Sequence, residues 1–145
     1  MKKYLFICLV AFGIVLSSCA YQRHTTNASV KTDQNGEKWL NIECFQTIAN
    51  TEECSICLAD DDNWNVYYII HITPLTSTKT EVYYDGKRLD GKYVFVGTYS
   101  YENKSGDTKT VQAYMPKENF YWWYNYDKES LKHLLDNVLS YDSVR

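Results

Sequence analysis

The chain has little of what usually reveals an enzyme or a nucleic-acid binder. Only three of its 145 residues are histidines. No Gly-rich phosphate loop, nucleophile elbow or H-E-x-x-H stretch is present. The chain also lacks a basic run, and its net charge of −3 makes it a poor candidate for nucleic-acid binding. We therefore predict no catalytic residue, no metal, no cofactor and no nucleic-acid partner.

The chain also lacks a hydrophobic run long enough to span a membrane. Residues 4–16 form an apolar run of 13 residues, which at about 1.5 Å each reaches roughly 20 Å, short of a hydrocarbon core of about 30 Å. Lys2 and Lys3 precede this run, and Ser17 and Ser18 follow it. This order is typical of a cleaved export signal. We therefore expect residues 1–18 to be a signal peptide.

The residues at the end of this segment, Leu16-Ser17-Ser18-Cys19, resemble the lipobox of bacterial lipoprotein precursors. In that family the cysteine receives diacylglycerol and becomes the mature N-terminus, which implies lipidation of Cys19. Ala20 occupies the position at which an aspartate often favours retention in the inner membrane, and no acidic cluster follows to mark surface export. The resemblance thus implies a cell-envelope lipoprotein on the outer membrane, facing the periplasm.

The rest of the chain divides into a tether and one domain. Residues 19–36 are polar and almost free of large aliphatic side chains, which predicts a lipidated N-terminus followed by a flexible tether. Residues 37–145 suit a single domain with its own core. The chain contains 14 Tyr, four Trp and five Phe, and aromatic residues favour strands.

The hydrophobic pattern predicts a mainly β (α+β) domain. Alternating or continuous apolar and aromatic runs indicate strands at 38–48, 54–59 and 64–75 and a hairpin over 92–115. The period then changes, and leucines at helical spacing predict an amphipathic helix over 127–141 with Asp127 as its N-terminal cap. We expect a single antiparallel sheet, sandwich or partly open barrel with this one C-terminal helix packed on it.

Three cysteines, Cys44, Cys54 and Cys57, remain in the predicted domain. In an oxidising envelope they favour a disulfide from Cys44 to Cys54 or Cys57, with one thiol left unpaired. Buried free thiols are an alternative. A further alternative is a Cys/His metal-binding domain, in which His71 would be the fourth ligand to zinc.

An aromatic run, Phe120 to Tyr126, is the strongest candidate for ligand binding. We expect a β-like segment with one ring face buried and the other available, and the candidate contacts are Tyr121, Trp122, Trp123 and Tyr124. The predicted function is non-catalytic binding of an envelope protein or a glycan. The alternative is a small envelope hydrolase, in which His71 would meet a carboxylate or a thiol in a pocket.

Overall fold

The computed structural model describes residues 22–23, 36–74 and 81–140. The signal peptide, Cys19 and residue 141 of the predicted helix lie outside this part of the chain. The strands and helices are β1 (Gln22–Arg23), β2 (Glu37–Asn50), β3 (Cys54–Asp60), β4 (Val66–Ile72), β5 (Arg88–Glu102), β6 (Thr108–Pro116), α1 (Lys117–Tyr126) and α2 (Lys128–Ser140).

The strands form one mixed sheet, so the prediction of a mainly β domain is confirmed. The pairing order is β1-β5-β2-β3-β4-β6, and β6 also pairs with β5. The prediction of a wholly antiparallel sheet is wrong, because β4 and β6 pair in parallel. β5 lies between them in the chain and forms an antiparallel hairpin with β6. The chain between β4 and β6, which includes β5, is long enough to form the connection that a parallel pair requires.

β5 is long enough to pair with two partners over different parts of its length. Residues 88–94 pair with β2, and residues 93–102 pair with β6. A bulge between Phe95 and Gly97 shifts the register. Because one extra residue reverses the alternation of side chains, Tyr93 and Tyr99 lie in different core clusters although they are six residues apart. A simple alternation over β5 does not predict this reversal.

The two faces of the sheet carry two apolar clusters. One, the helix-side cluster, packs against α1 and α2 and includes Leu58, Ile70 and Val96. The second cluster takes side chains from all five long strands and from Tyr83, which precedes β5. As the alternation in β4 predicts, Tyr68 lies in the helix-side cluster, whereas its neighbours in sequence lie in the second cluster; these are Tyr67 and Ile69.

Two helices follow β6, although the sequence predicts one. The β-like segment expected over 120–126 is wrong, because these residues lie in α1. Burial there has helical spacing: Phe120 and Trp123, three residues apart, are both buried in the helix-side cluster. Pro116 precedes the helix, and its lack of an amide proton costs nothing at that position. Within the described residues, no helix is long and apolar enough to cross a membrane.

The predicted C-terminal helix is present as α2. Its apolar stripe is fully buried against the sheet, at Leu131, Leu135 and Leu139. Asp127 caps it as expected: Asp127 Oδ1 accepts hydrogen bonds from the backbone amides of Glu129 (3.1 Å) and Ser130 (3.2 Å).

The first strand lies inside the segment predicted as a flexible tether. Gln22 pairs with Tyr101 and Arg23 pairs with Ser100, antiparallel to the end of β5. The other residues of that segment lie outside the described residues, except Gly36.

Candidate ligand-binding groove

A groove of about 820 Å³ lies at the end of the sheet where β3 begins and β4 finishes. The two helices form one wall, and the turn before β3 together with the end of β4 forms the other. Its lining combines aromatic, acidic and hydroxyl-bearing side chains: Glu52, Glu53, Ile72, Thr73, Pro74, Trp123, Tyr126, Ser130, His133 and Leu134.

Asn119 fixes α1 to the edge of this groove. Its side-chain Oδ1 accepts a hydrogen bond from the Ile72 amide at 3.0 Å, and its Nδ2 donates to the Ile72 carbonyl at 2.7 Å. Trp123 Nε1 donates to the same carbonyl at 3.2 Å. Both side chains are buried. Because these bonds are buried, they hold the first wall of the groove in a defined position.

Two exposed rings stack beside the groove. Trp122 and Tyr126 are four residues apart on α1, so they lie on the same side of the helix. Their ring centroids are 5.1 Å apart, with an angle of 9° between the planes. Trp122 is 37% exposed and Tyr126 is 69% exposed. Trp123 meets Tyr126 edge-on at 6.4 Å, so the stacked pair continues into the groove lining.

The aromatic residues selected from the sequence separate on the helix. Trp123 lines the groove, and Trp122 stacks beside it on Tyr126. Tyr121 does not line it: its hydroxyl donates to Glu37 Oε1 at 3.1 Å, on the side of β2. Tyr124 does not line it either, and stacks on the buried ring of Phe120 at 5.7 Å.

The polar lining comes from short, well-bonded segments. Thr51 Oγ1 accepts hydrogen bonds from the amides of Glu53 and Cys54 at 3.2 and 3.0 Å, which shapes the turn that presents Glu52 and Glu53. The Thr73 amide donates to the Glu53 carbonyl at 2.7 Å. The two carboxylate-bearing residues are therefore attached to the end of β4.

Thr73 lines the groove, and its hydroxyl makes no hydrogen bond within the described residues. The residue is 8% exposed, and its Oγ1 has no hydrogen-bond partner among the described residues. A buried hydroxyl without a partner costs stability. Because this oxygen is itself shielded from solvent, the unpaired hydroxyl lowers the stability of the fold at the edge of the groove.

Ser130, on the opposite wall, is already engaged. Its hydroxyl donates to Asp127 Oδ2 at 2.6 Å, and this bond, with the amide bonds to the same carboxylate, lowers the pKa of Asp127. One turn later His133 Nδ1 lies 3.2 Å from Asn137 Nδ2. The hydroxyl of Ser130 is thus part of the helix cap.

The structure brings two of the three cysteines together. Cys44 and Cys57 are fully buried in the second cluster, with their Sγ atoms 2.7 Å apart. Cys54 packs on the helix-side cluster. Residues three apart in a strand point to opposite faces, so the C-x-x-C spacing does not bring Cys54 and Cys57 together.

His71, the residue expected at the centre of a hydrolase or zinc site, lies on β4 outside the groove lining. Its Nδ1 is buried and has no hydrogen-bond partner among the described residues. Burial lowers the pKa of His71, although the carboxylate of Glu81 acts in the opposite direction. In the described part of the chain, no group of three or more His, Cys, Asp or Glu side chains is arranged to hold a metal ion.

Comparisons with protein-family models, with curated proteins and with solved structures find no match to this chain.

Several groove residues are not apparent from the sequence. Tyr126 ends the aromatic run, and helical spacing from Trp122 would have indicated it. Asn119 and Thr73 carry no motif, and their roles depend on contacts between residues far apart in the chain.

Proposed function

We propose that this chain is a lipid-anchored binding module of the cell envelope and that its groove holds a neutral glycan. The observation that carries the proposal is the parallel pair of exposed rings, Trp122 and Tyr126, beside a concave groove. Flat aromatic surfaces suit the apolar faces of sugar rings. Hydroxyl and carboxylate groups in the lining suit sugar hydroxyls.

The charge of the groove supports a neutral ligand over an anionic one. Its lining contains Glu52 and Glu53 and no Lys or Arg. Two carboxylates at one wall would repel phosphorylated or carboxylated polymers. They can accept hydrogen bonds from sugar hydroxyls without losing their charge.

The five long strands pair in the order β5-β2-β3-β4-β6, and β6 pairs again with β5. This ring of pairings supports the partly open barrel, in which the sheet would form a rigid base for the groove. The lipobox resemblance supports an anchor on Cys19 and an outer-membrane location facing the periplasm. Neither the barrel nor the lipid anchor depends on the stacked rings of Trp122 and Tyr126.

Calorimetric titration with chitotetraose, a neutral oligomer of an N-acetylated sugar, tests the proposal. We expect saturable binding that Trp122→Ala and Tyr126→Ala each weaken about tenfold, which corresponds to about 1.4 kcal/mol per ring. Trp64→Ala is the matched control. Trp64 is 83% exposed, in the turn at the far end of the β3–β4 hairpin, so its loss should leave binding unchanged.

Two other probes separate the alternatives. An oligolysine peptide that bound in place of the sugar would contradict the glycan proposal and indicate a basic protein ligand. An anionic polysaccharide that bound more tightly than chitotetraose would contradict the argument from charge. Equal loss of sugar binding in Trp64→Ala and Trp122→Ala would mean that the ring pair is not the site.

A further inference from the structure

We propose that Cys44 and Cys57 form a disulfide that joins β2 to β3 inside the second cluster, and that Cys54 stays a free thiol. The proposal depends on export to an oxidising compartment, but it does not depend on the groove or its ligand. It selects one of the pairings that the sequence leaves open.

Strand register brings the two sulfur atoms together. Cys44 is opposite Ala59, two residues after Cys57 on β3, so Cys57 and Ala59 point to the same face. A bulge between Cys44 and Gln46 distorts the ladder at this point. The resulting Sγ–Sγ distance of 2.7 Å is well inside van der Waals contact for two sulfur atoms. Only a small movement separates it from the bonded distance of about 2.05 Å.

The environment of the pair also favours this partner. Both residues are 0% exposed, among apolar and tyrosine side chains of the second cluster. In the reduced pair, the hydrogen bond between the two sulfur atoms lowers the pKa of Cys44 and, together with burial, raises the pKa of Cys57. Burial also raises the pKa of Cys54, whose sulfur lies 3.7 Å from Thr51 Oγ1.

The oxidation proceeds by thiol–disulfide exchange with an oxidised dithiol donor of the envelope. One cysteine thiolate attacks the donor disulfide, forms a mixed disulfide and releases one donor thiolate. The second cysteine, as its thiolate, attacks the mixed disulfide, the Cys44–Cys57 bond forms, and the second donor sulfur leaves. Two protein thiols are oxidised and one donor disulfide is reduced to two thiols. Because neither cysteine is exposed in the fold, we expect this exchange before the domain closes.

Peptide mapping of the full lipidated protein tests the pairing. The protein is isolated from membranes under denaturing conditions with an alkylating agent and no reductant. We expect one disulfide-linked peptide pair containing Cys44 and Cys57, and alkylation at Cys54. Three alkylated domain cysteines, a link that involves Cys54, or a stoichiometric zinc ion would each overturn the proposal.

Refolding of the purified, reduced chain in a glutathione redox buffer tests whether the fold alone pairs Cys44 with Cys57, without any contribution from export. We expect the same link to form there, and the melting temperature to rise by about 10 °C over the reduced protein. The Cys44→Ala/Cys57→Ala variant should lack that rise, whereas Cys54→Ala should keep it. A link in this experiment but not in cells would support the geometry of the pair but overturn the proposal that the exported protein carries the disulfide. No link in either would overturn the geometric argument.

Discussion

Two buried polar atoms, Thr73 Oγ1 and His71 Nδ1, lack a hydrogen-bond partner among the described residues. They lie two residues apart at the end of β4 but belong to different environments. Thr73 lines the groove, although its hydroxyl oxygen is shielded from solvent. His71 does not line it, so its unpaired nitrogen affects stability instead. Burial of the His71 side chain disfavours its charged form and so lowers its pKa.

His71 should make the folded protein sensitive to acid. Its pKa is lowered in the fold by burial, whereas in the unfolded chain it is near the ordinary value of about 6.5. Below that value the unfolded state binds more protons, so the free energy of unfolding should fall with decreasing pH until the lower folded pKa is passed. Melting temperatures between pH 7 and pH 5 should decline less in His71→Gln than in the original protein.

The exposed His133 provides the control for this comparison. His133→Gln should keep the decline of the original protein. If His71→Gln also kept it in full, other groups would be responsible for the acid sensitivity.

At the scale of elements, the proposed binding site depends most on α1. This helix carries the stacked rings and forms one wall of the groove together with α2. Its helical geometry separates Phe120, fully buried, from Trp122, which is exposed. In a strand these two residues, two apart, would share a face. Substitutions of Phe120 and Trp122 therefore test whether this segment is a helix or a strand.

Phe120→Ala should lower the free energy of unfolding by about 3–5 kcal/mol, because it leaves a cavity in the helix-side cluster. Trp122→Ala should lower it by about 1 kcal/mol or less, since it loses mainly a surface stacking contact. Chemical denaturation of both variants measures the difference. Similar losses in the two variants would indicate that residues 120–126 are not helical in solution.

The sequence predicts those elements whose period is regular. The apolar spacing of Leu131, Leu135 and Leu139 identifies α2, and the alternation in β4 assigns its two faces. It fails for α1, because a continuous aromatic run has no period and aromatic residues favour strands. It also fails for the second half of β5, where the bulge before Gly97 reverses the faces. The groove itself depends on long-range contacts such as those of Asn119, which no local pattern contains.

At the scale of the whole molecule, the strand register relates the groove to the proposed lipid anchor. Gln22 pairs with Tyr101 near the end of β5, so the first described residue lies at the end of the sheet that carries the β5–β6 turn. Cys19 is only three residues earlier, a reach of about 10 Å at most. The groove lies at the other end of β6, because β4 runs parallel to β6 and ends beside the groove at Ile72. If Cys19 carries lipid as proposed, we expect the groove to lie at the end of the domain farther from the membrane.

Replacement of the proposed anchor residue tests this arrangement. Cys19→Ala should move the protein from the membrane fraction to the soluble periplasmic fraction, because the variant lacks the proposed site of lipid attachment. Intact-mass measurement of the original protein should show the added lipid. An unmodified Cys19, or a variant that stays with the membranes, would contradict the proposed anchoring.

The NMR signals of the four tryptophan indole groups are the most direct test of the proposed glycan binding. During the chitotetraose titration, two-dimensional NMR of the nitrogen-labelled domain should show saturable shifts of the Trp122 and Trp123 indole signals. The signals of Trp39 and Trp64, which do not line the groove, should stay in place. Four unchanged signals, or shifts confined to Trp39 and Trp64, would contradict the assignment of the groove as a glycan site.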